Sequence, residues 1–475
     1  MAFSTMVSLD RSITTNLEHG AIKTRPAKSN GIWCHMLLPC ILCTYCLMDS
    51  VSGLYKVVTV LSCGLFSYCS LFVTFLSMSS LIVKEPDYGG CMTSSLISTL
   101  MLYGVLDHYF SFSFLTSTLT MFSFLWLLRY CLMKCPMTFT IGEAMIVLQG
   151  VILFAVSSVI RFLVKNQDEN EDLSYIYFIV QVVLVAVALM VTVLFSLSKG
   201  LRSVKTLVSI VLTGGTFILI LFHYKLGPDF IPQFLKYVFI NNNRGKLMVF
   251  WIILTGLSVC ALMLRTQLAV KADTVTRKTF HVLASLVFLS GILLDLPLML
   301  LAAGIGLGLI VFVEALRISD IEPVTTVLQA AFLVYSDEKD CGRFAMTPLY
   351  LYIGLASPLL LVPFYQPKYT LELLSGVLSI GVGDTAASWF GSKYGVNKWS
   401  DSSKTMEGTA FNILSQVATV YALILFDLLD TRYAIFRTAI AATVTSLVEA
   451  KTDQVDNLVL PFTMLIALQF TRLIC

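Results

Sequence analysis

One polar stretch of this sequence, residues 381–409, places residue types that can do chemistry in an apolar setting. Asp384 lies inside an apolar run, where a carboxylate is costly unless it faces a polar cavity, a cation or a charged partner. Gly381 and Gly383 flank it and let a backbone or a phosphate group come close. Asp384 is therefore predicted to be a Mg²⁺ ligand or a catalytic base. The structural alternative is an aspartate that joins two helices by pairing with a neighbouring lysine.

The rest of this stretch has the composition of a polyphosphate-binding loop. Its glycines separate side chains that carry hydroxyl or ammonium groups, namely Ser392, Lys393, Lys398, Ser402, Ser403, Lys404 and Thr405. Ammonium groups neutralise phosphate charge, while hydroxyls and backbone amides donate hydrogen bonds to it. The chain contains no G-x-x-x-x-G-K-[ST] motif, so this is not a P-loop. A basic connector can also serve only to set membrane topology, but Asp384 at one edge and Glu407 at the exit argue against that alternative.

Two further segments carry cations and carboxylates. Arg277 and Lys278 stand at the start of an apolar run and can clamp phosphate, and His281, one turn later, can orient a phosphate or transfer a proton. Asp337 and Asp340 offer oxygen ligands to a hard cation. The alternatives are a basic membrane anchor with an incidental histidine in the first segment, and solvated charge in the second.

A fourth segment, residues 449–457, carries three carboxylates. Glu449, Asp453 and Asp456 recur at i, i+4 and i+7, so in a helix they share one face. Such a stripe beside apolar runs needs cations, which are either Mg²⁺ or the lysines of residues 391–408. Asp453 could instead be a simple helix cap.

The elements that position these segments are predicted to be membrane-spanning helices. The chain has 475 residues, of which 57% are hydrophobic and 13% charged, and its mean hydropathy is +0.83. Apolar runs of about 20 residues, enough to cross roughly 30 Å of hydrocarbon, recur about fifteen times from residue 31 onward. The predicted fold is all-α, a polytopic integral membrane protein with about 15 transmembrane helices. A net charge of +3 gives no reason to expect nucleic acid as a partner.

The chain divides into three predicted parts. Residues 1–30 are polar and are expected to form a cytoplasmic N-terminal segment without a cleavable signal peptide. Residues 31–245 form a multi-span region whose connectors assemble no site. Residues 246–475 form a second multi-span region that contains all four polar segments.

Counting spans predicts that the four polar segments meet. Two spans separate each segment from the next, and the first pair is divided near Asp295 and Pro297 because proline cannot continue a helical hydrogen-bond ladder. An even number of spans returns the chain to the same membrane face. Basic residues crowd this face, which the positive-inside bias makes cytoplasmic; they are Arg265, Lys271, Arg277, Lys278, Lys393, Lys398 and Lys404.

Four motifs in this order resemble the dolichol kinase family of polyprenol kinases. They are residues 277–281 (RKTFH), 382–388 (VGDTAAS), Trp399 with 404–409 (KTMEGT), and 449–450 (EA) with 454–458 (QVDNL). The resemblance covers roughly residues 265–475, and the N-terminal half is similar only in having many spans.

The resemblance implies a multi-pass endoplasmic reticulum protein that transfers the γ-phosphate of CTP to dolichol, yielding dolichyl phosphate for protein glycosylation, with Mg²⁺ or another divalent cation. Residues 246–475 are then the kinase region, with active-site loops in the cytoplasm and a polyprenol substrate held in the bilayer. The family's CTP-binding segment maps onto Gly395, Lys398, Trp399, Lys404, Thr405, Glu407, Gly408 and Thr409.

The residues suggest a division of labour for such a reaction. Lys398 and Lys404 would hold the triphosphate. Mg²⁺ would be shared between phosphate oxygens, Asp384 and either Asp453 or Asp456, with Asp337, Asp340 and Glu449 as further acidic candidates. Asp384 or His281 would deprotonate the alcohol, with Lys278 beside them as a catalytic cation.

The same residue types also fit other functions. Another CTP-dependent lipid enzyme, either a phytol, farnesol or diacylglycerol kinase or a lipid cytidylyltransferase, would need similar groups. A transporter would carry intramembrane charges in both halves, yet the first half has no counterpart of Asp384 or Glu449. A purely structural subunit would make the meeting of four polar segments accidental.

Overall fold

The computed structural model describes residues 2–163, 171–240, 244–268, 274–337, 339–363, 366–400, 402, 404–430 and 433–474. Apart from an isolated antiparallel bridge between Lys398 and Thr405, the regular structure in these ranges is helical. The predicted all-α class is thus confirmed. Lys271, one of the basic residues used to orient the chain, lies outside the described residues.

The α-helices of the described ranges are α1 (Ala2–His19), α2 (Leu37–Met48), α3 (Gly53–Met78), α4 (Leu81–Lys84), α5 (Tyr88–Gly104), α6 (Phe110–Lys134), α7 (Ile141–Leu163), α8 (Glu171–Ser196), α9 (Val204–Leu226), α10 (Phe230–Phe239), α11 (Arg244–Leu268), α12 (Thr274–Leu294), α13 (Leu296–Arg317), α14 (Val324–Tyr335), α15 (Met346–Leu361), α16 (Thr370–Leu373), α17 (Thr385–Tyr394), α18 (Met406–Leu425), α19 (Ala434–Lys451) and α20 (Asp456–Thr471). Short 3₁₀ helices span Ile32–Met36, Lys199–Leu201 and Pro367–Tyr369, and a π-helical segment spans Val377–Asp384.

Many of these helices are built to cross a bilayer. Nine of the described helices are long and apolar enough to do so, which confirms a polytopic membrane protein. Four shorter apolar segments, Ile32–Met48, Val324–Val334, Met346–Leu361 and Asp456–Thr471, accompany them. The total of about fifteen spans stays a prediction.

The break between α12 and α13 lies where the sequence predicts it. Asp295 ends one helix and caps the next, because its carboxylate accepts a hydrogen bond from the amide of Leu298 at 3.0 Å. Pro297 follows in the first turn of α13, where its missing N–H costs nothing. Arg244 at the start of α11 pairs with the same carboxylate and joins three helix ends.

Helix α20 lies at the centre of the part that carries the polar segments. It packs against α2, α15, α19 and the π-helical segment, and most of its side chains are buried. The π-helical segment in turn contacts α12 and α18. By contrast, α9 and α11 keep mostly exposed apolar surfaces, as expected for helices that face lipid.

Candidate active site

Lys404 lies at the centre of a charged cluster at one end of the helical bundle. Its ammonium group is 3.2 Å from a carboxylate oxygen of Asp456 and 3.5 Å from one of Glu449. Burial alone would lower the pKa of Lys404, but these carboxylates outweigh that effect and raise the pKa above its ordinary value. Lys404 is therefore a permanent cation that joins the loop before α18 to the ends of α19 and α20.

The segment before α15 reaches the same cluster. The ammonium of Lys339 is 3.9 Å from Asp456 and donates a hydrogen bond of 3.0 Å to the carbonyl of Gln454. Asp337, two residues earlier, pairs with Arg277 at 3.0 Å. Lys339 was not singled out from the sequence, because one lysine within a run of mixed charge carries no distinguishing signal.

The polar segment around Arg277 and Lys278 meets the polar stretch of residues 381–409 at Asp384. Lys278, on α12, forms an ion pair with Asp384, which is the last residue of the π-helical segment. The wider π-helical turn offsets the face on which the following residues lie, and such segments are frequent at functional sites. Asp384 is 4% exposed, and the ion pair with Lys278 compensates for the loss of water around its carboxylate. The pairing of Asp384 with a lysine, which the sequence offered as the structural alternative to a Mg²⁺ ligand or base, is therefore present, and it lies within the candidate site.

His281 is buried one turn after Lys278. Its Nδ1 lies 3.3 Å from the carbonyl oxygen of Arg277, and its Nε2 lies 3.2 Å from the side-chain oxygen of Asn457. Asn457 follows Asp456 directly, so His281 joins the start of α12 to the start of α20. This contact helps to align the two helices that carry Lys278 and Asp456.

A hydrogen-bond chain runs from the cluster into the apolar bundle. Asn412 donates a hydrogen bond to Glu449, and Gln416 donates one to Asn412. Both amides lie on α18, one turn apart, and are buried. They were missed in the sequence, although two polar residues at i and i+4 in an apolar run are a detectable signal of a polar helix face.

The described residues on the two sides of the loop before α18, 395–400 and 404–405, are hydrogen-bonded to each other. The amide of Trp399 donates to the carbonyl of Lys404 at 3.0 Å, and the amide of Met406 donates to that of Asn397 at 2.8 Å. Glu407 accepts hydrogen bonds from the backbone and side-chain nitrogens of Asn397, at 3.1 and 2.8 Å. The loop therefore enters α18 as a tight hairpin that aims Lys404 at the cluster.

The remaining residues of the predicted nucleotide segment have local roles in this hairpin. Thr405 caps α18 by accepting a hydrogen bond from the amide of Gly408 at 3.2 Å. The indole N–H of Trp399 donates to the hydroxyl of Thr409 at 3.0 Å. Lys398 is exposed. The amide of Gly395 donates a hydrogen bond of 3.0 Å to the carbonyl of Gly391, in the last turn of α17.

Two predicted acidic residues point elsewhere. Asp453 accepts hydrogen bonds from the backbone amides of Lys28 and Ser29 and from the Ser29 hydroxyl, so its carboxylate engages the N-terminal segment. Asp340 caps α15 by accepting from the amides of Met346 and Thr347, each at 3.0 Å. The structure therefore joins Asp384, Glu449 and Asp456 to the lysines, but not Asp453 or Asp340.

The carboxylates of this cluster suit a divalent cation that binds together with the phosphate groups of a nucleotide. Among the described residues, no three His, Cys, Asp or Glu side chains form a group that could hold a metal ion by themselves. Mg²⁺ commonly needs only one or two carboxylates, because phosphate oxygens and water complete its coordination. Asp456 and Glu449, on either side of Lys404, and Asp384 beside Lys278 fit that requirement better than they fit a metal cage built from protein alone.

A substitution of Lys404 tests whether it holds the cluster together. In Lys404→Met, Asp456 and Glu449 lose the cation between them, so we expect the free energy of unfolding to fall by about 2 kcal/mol, between values for exposed and buried ion pairs. Adding Asp456→Asn should restore part of the loss, as measured by thermal unfolding in detergent. Lys398→Met, in the same loop but exposed, is the control and should change little. A double variant no more stable than Lys404→Met would contradict this arrangement.

Comparison with known proteins extends the likeness beyond the motifs noted in the sequence. The family model described as "Dolichol kinase" matches residues 57–350. The expectation that the N-terminal half is similar only in having many spans is therefore wrong. The matched range includes most of this half, and it ends before residues 381–409 and 449–457.

Curated relatives agree with the family match. Dolichol kinase of Mus musculus is 30% identical over 419 residues, covering 84% of this chain and 77% of its own length. Dolichol kinase of Bos taurus is 29% identical over 422 residues with the same coverage, and dolichol kinase EVAN of Arabidopsis thaliana is 32% identical over 238 residues, covering 49% of this chain and 40% of its own length. No solved structure matches the chain. The chain therefore belongs to the dolichol kinase family.

Proposed function

We propose that this protein transfers the γ-phosphate of CTP to the hydroxyl of dolichol at the cluster around Lys404. The observation that carries the proposal is the meeting of four separate polar segments, through Arg277, Lys278, Lys339 and Lys404 and their carboxylate partners, at one end of a membrane-embedded bundle. Family membership supplies the acceptor, since the relatives are named dolichol kinases.

Phosphoryl transfer asks a protein mainly for positioning and for neutralisation of phosphate charge. Lys404 is a cation held between Asp456 and Glu449, which suits it to bind the triphosphate. Lys398, exposed where the same hairpin begins and bridged through its backbone to Thr405, can contact the outer part of the nucleotide. Incoming phosphate oxygens would compete with Asp456 and Glu449 for Lys404.

Asp456 is the carboxylate that we propose for a nucleotide-bound Mg²⁺, because one oxygen of Asp384 pairs with Lys278 and the other is left for the lipid hydroxyl. The sequence left Asp453 and Asp456 as alternative ligands. We choose Asp456 because the Asp453 carboxylate accepts hydrogen bonds from the amides of Lys28 and Ser29. When bound, the cation would neutralise charge on the phosphate oxygens. Glu449, held by Asn412, would then act through the charge of Lys404 rather than as a ligand.

Asp384 is the better supported of the two candidate bases. A base must offer a lone pair to the dolichol hydroxyl, and the carboxylate of Asp384 has one oxygen beyond that paired with Lys278. The two ring nitrogens of His281 already face Arg277 and Asn457. We therefore assign proton transfer to Asp384, orientation of the phosphate to Lys278, and alignment of the helices to His281.

The position of the cluster suits a lipid acceptor. Dolichol keeps its isoprenoid tail in the bilayer, so an enzyme acting on its hydroxyl has to work at the membrane surface. The bundle brings charged groups to the ends of helices whose sides are apolar. We propose that this end faces the cytoplasm of an endoplasmic reticulum membrane, where the basic residues belong and CTP is present.

Transfer of labelled phosphate tests both reaction and orientation. Sealed, right-side-out microsomes containing the protein and dolichol are given CTP labelled in the γ position, without detergent. We expect label in the lipid, because CTP does not cross the membrane and the site faces outward. Label released as pyrophosphate would indicate a cytidylyltransferase and contradict the proposal, while transfer that requires detergent would contradict the orientation. Matched microsomes lacking the protein are the control.

Replacement of Asp384 tests its assignment. We expect Asp384→Asn to lower kcat by at least about 100-fold, the usual contribution of a general base, while the protein remains folded. Asp49→Asn is the matched control, because Asp49 also pairs with a cation, Arg472, but at the opposite end of the bundle. Near-normal turnover in Asp384→Asn would remove Asp384 from the mechanism.

A further inference from the structure

The N-terminal segment and α7 form a buried clamp on the segment that carries Asp456. Glu143, in the first turn of α7, is fully buried and pairs with Arg25 at 2.7 and 3.1 Å. The same carboxylate accepts hydrogen bonds from the amide of Thr140 at 3.0 Å and the amide of Val455 at 3.1 Å. Four N–H groups thus donate to one carboxylate. One of them is the backbone amide of Val455, the residue immediately before Asp456.

Asp453 and Gln454, the two residues before Val455, also form hydrogen bonds with the N-terminal part of the chain. The Asp453 carboxylate accepts from the amides of Lys28 and Ser29. Gln454 donates to the carbonyl of Ser29 at 3.0 Å and accepts from the hydroxyl of Thr140 at 2.7 Å. Asp453 and Gln454 therefore bind the N-terminal segment, while Gln454 and Val455 also bind Thr140 and Glu143 at the start of α7.

Two glycines allow this close approach. Gly31 has a φ of +62°, a left-handed conformation that favours glycine, and a Cβ there would collide with the side-chain amide of Gln454. A Cβ on Gly142 would collide with the carbonyl of Gly31. Any larger residue at Gly31 or Gly142 would therefore push these parts of the clamp apart.

We infer that Glu143 is a positioning residue for phosphoryl transfer, which fixes Asp456 by holding the amide of Val455. This inference rests on the proposed function of the Lys404 cluster. Glu143 touches neither Lys404 nor Lys339, whereas Asp456 contacts both. Val455 is also the residue that precedes α20, so its amide sets where that helix begins and where the first carboxylate of the helix points.

Glutamine in place of Glu143 cannot make all the hydrogen bonds that the carboxylate makes in this clamp. Each oxygen of Glu143 accepts one hydrogen bond from Arg25 and one from a backbone amide. Glutamine at this position would turn an NH₂ group toward two of the four donors. Glu143→Gln should therefore loosen Val455 or Thr140 without opening a cavity.

A matched pair of variants tests the inference on the full-length protein. Glu372 is likewise buried and paired with an arginine, Arg437 at 2.6 Å, but at the end of the bundle away from Lys404. We expect Glu143→Gln to lower kcat about tenfold or more, as outer-sphere partners of reactive groups do, and to raise the Mg²⁺ concentration needed for half-maximal rate. Glu372→Gln should keep both values near those of the parent protein after correction for the folded fraction.

A second pair removes only the contact in question. Val455 has a φ of −70°, which proline adopts, so Val455→Pro deletes the amide hydrogen while leaving Glu143 paired with Arg25. Val455→Ala keeps the amide. We expect the kcat and Mg²⁺ effects of Glu143→Gln to recur in Val455→Pro and to be absent from Val455→Ala.

These outcomes separate the inference from the proposed function. Equal kcat and Mg²⁺ requirement in Glu143→Gln and Glu372→Gln, or in Val455→Pro and Val455→Ala, would overturn the positioning role while leaving the transfer reaction intact. A parent protein that moves no phosphate from CTP to dolichol would instead overturn the proposed function.

Discussion

Charge placed at the end of an apolar bundle has to be paired, and the pairing of Lys404 with Asp456 and Glu449 is the interaction on which the candidate site depends. Each partner comes from a different helix end, so the ion pairs fix the relative positions of α18, α19 and α20. Lys339 adds the segment before α15 to the same carboxylate. The cluster is therefore both a structural joint and a set of charges suited to phosphate.

This dual role explains why the polar residues of the site are rigidly supported. A hairpin tied by Glu407 aims Lys404, and a π-helical segment carries Asp384 to Lys278. Asn412 and Gln416 extend the hydrogen bonds from Glu449 into the bundle. Preorganised charge costs little reorganisation when phosphate charge shifts during transfer, which is the main demand of this chemistry.

Much of this arrangement could be predicted from the sequence because membrane helices obey simple rules. Span length and even spacing correctly predicted that residues near 278, 339, 404 and 456 meet, and Pro297 marked a helix boundary. The partners of individual side chains could not be predicted as well from the sequence. Asp453 shares a helical period with Glu449 and Asp456, yet the helix ends at Lys451, and its carboxylate turns to the N-terminal segment instead.

The N-terminal half illustrates a different limit of sequence reasoning. Arg25 and Glu143 are 118 positions apart, and nothing in their local sequence marks them as partners. Their burial, and the contact of Glu143 with Val455, arise only when the spans pack. The charged residues around Lys404 come from beyond residue 245, but residues 31–245 support the segment that carries Asp456.

The most direct test of the account is a cryo-electron microscopy structure of the full-length protein with a non-hydrolysable CTP analogue and Mg²⁺. We expect the triphosphate to lie against Lys404, the cation to touch Asp456, and the γ-phosphate to point toward the membrane side of Asp384. A nucleotide bound elsewhere, with Lys404 still paired to both Asp456 and Glu449, would contradict it.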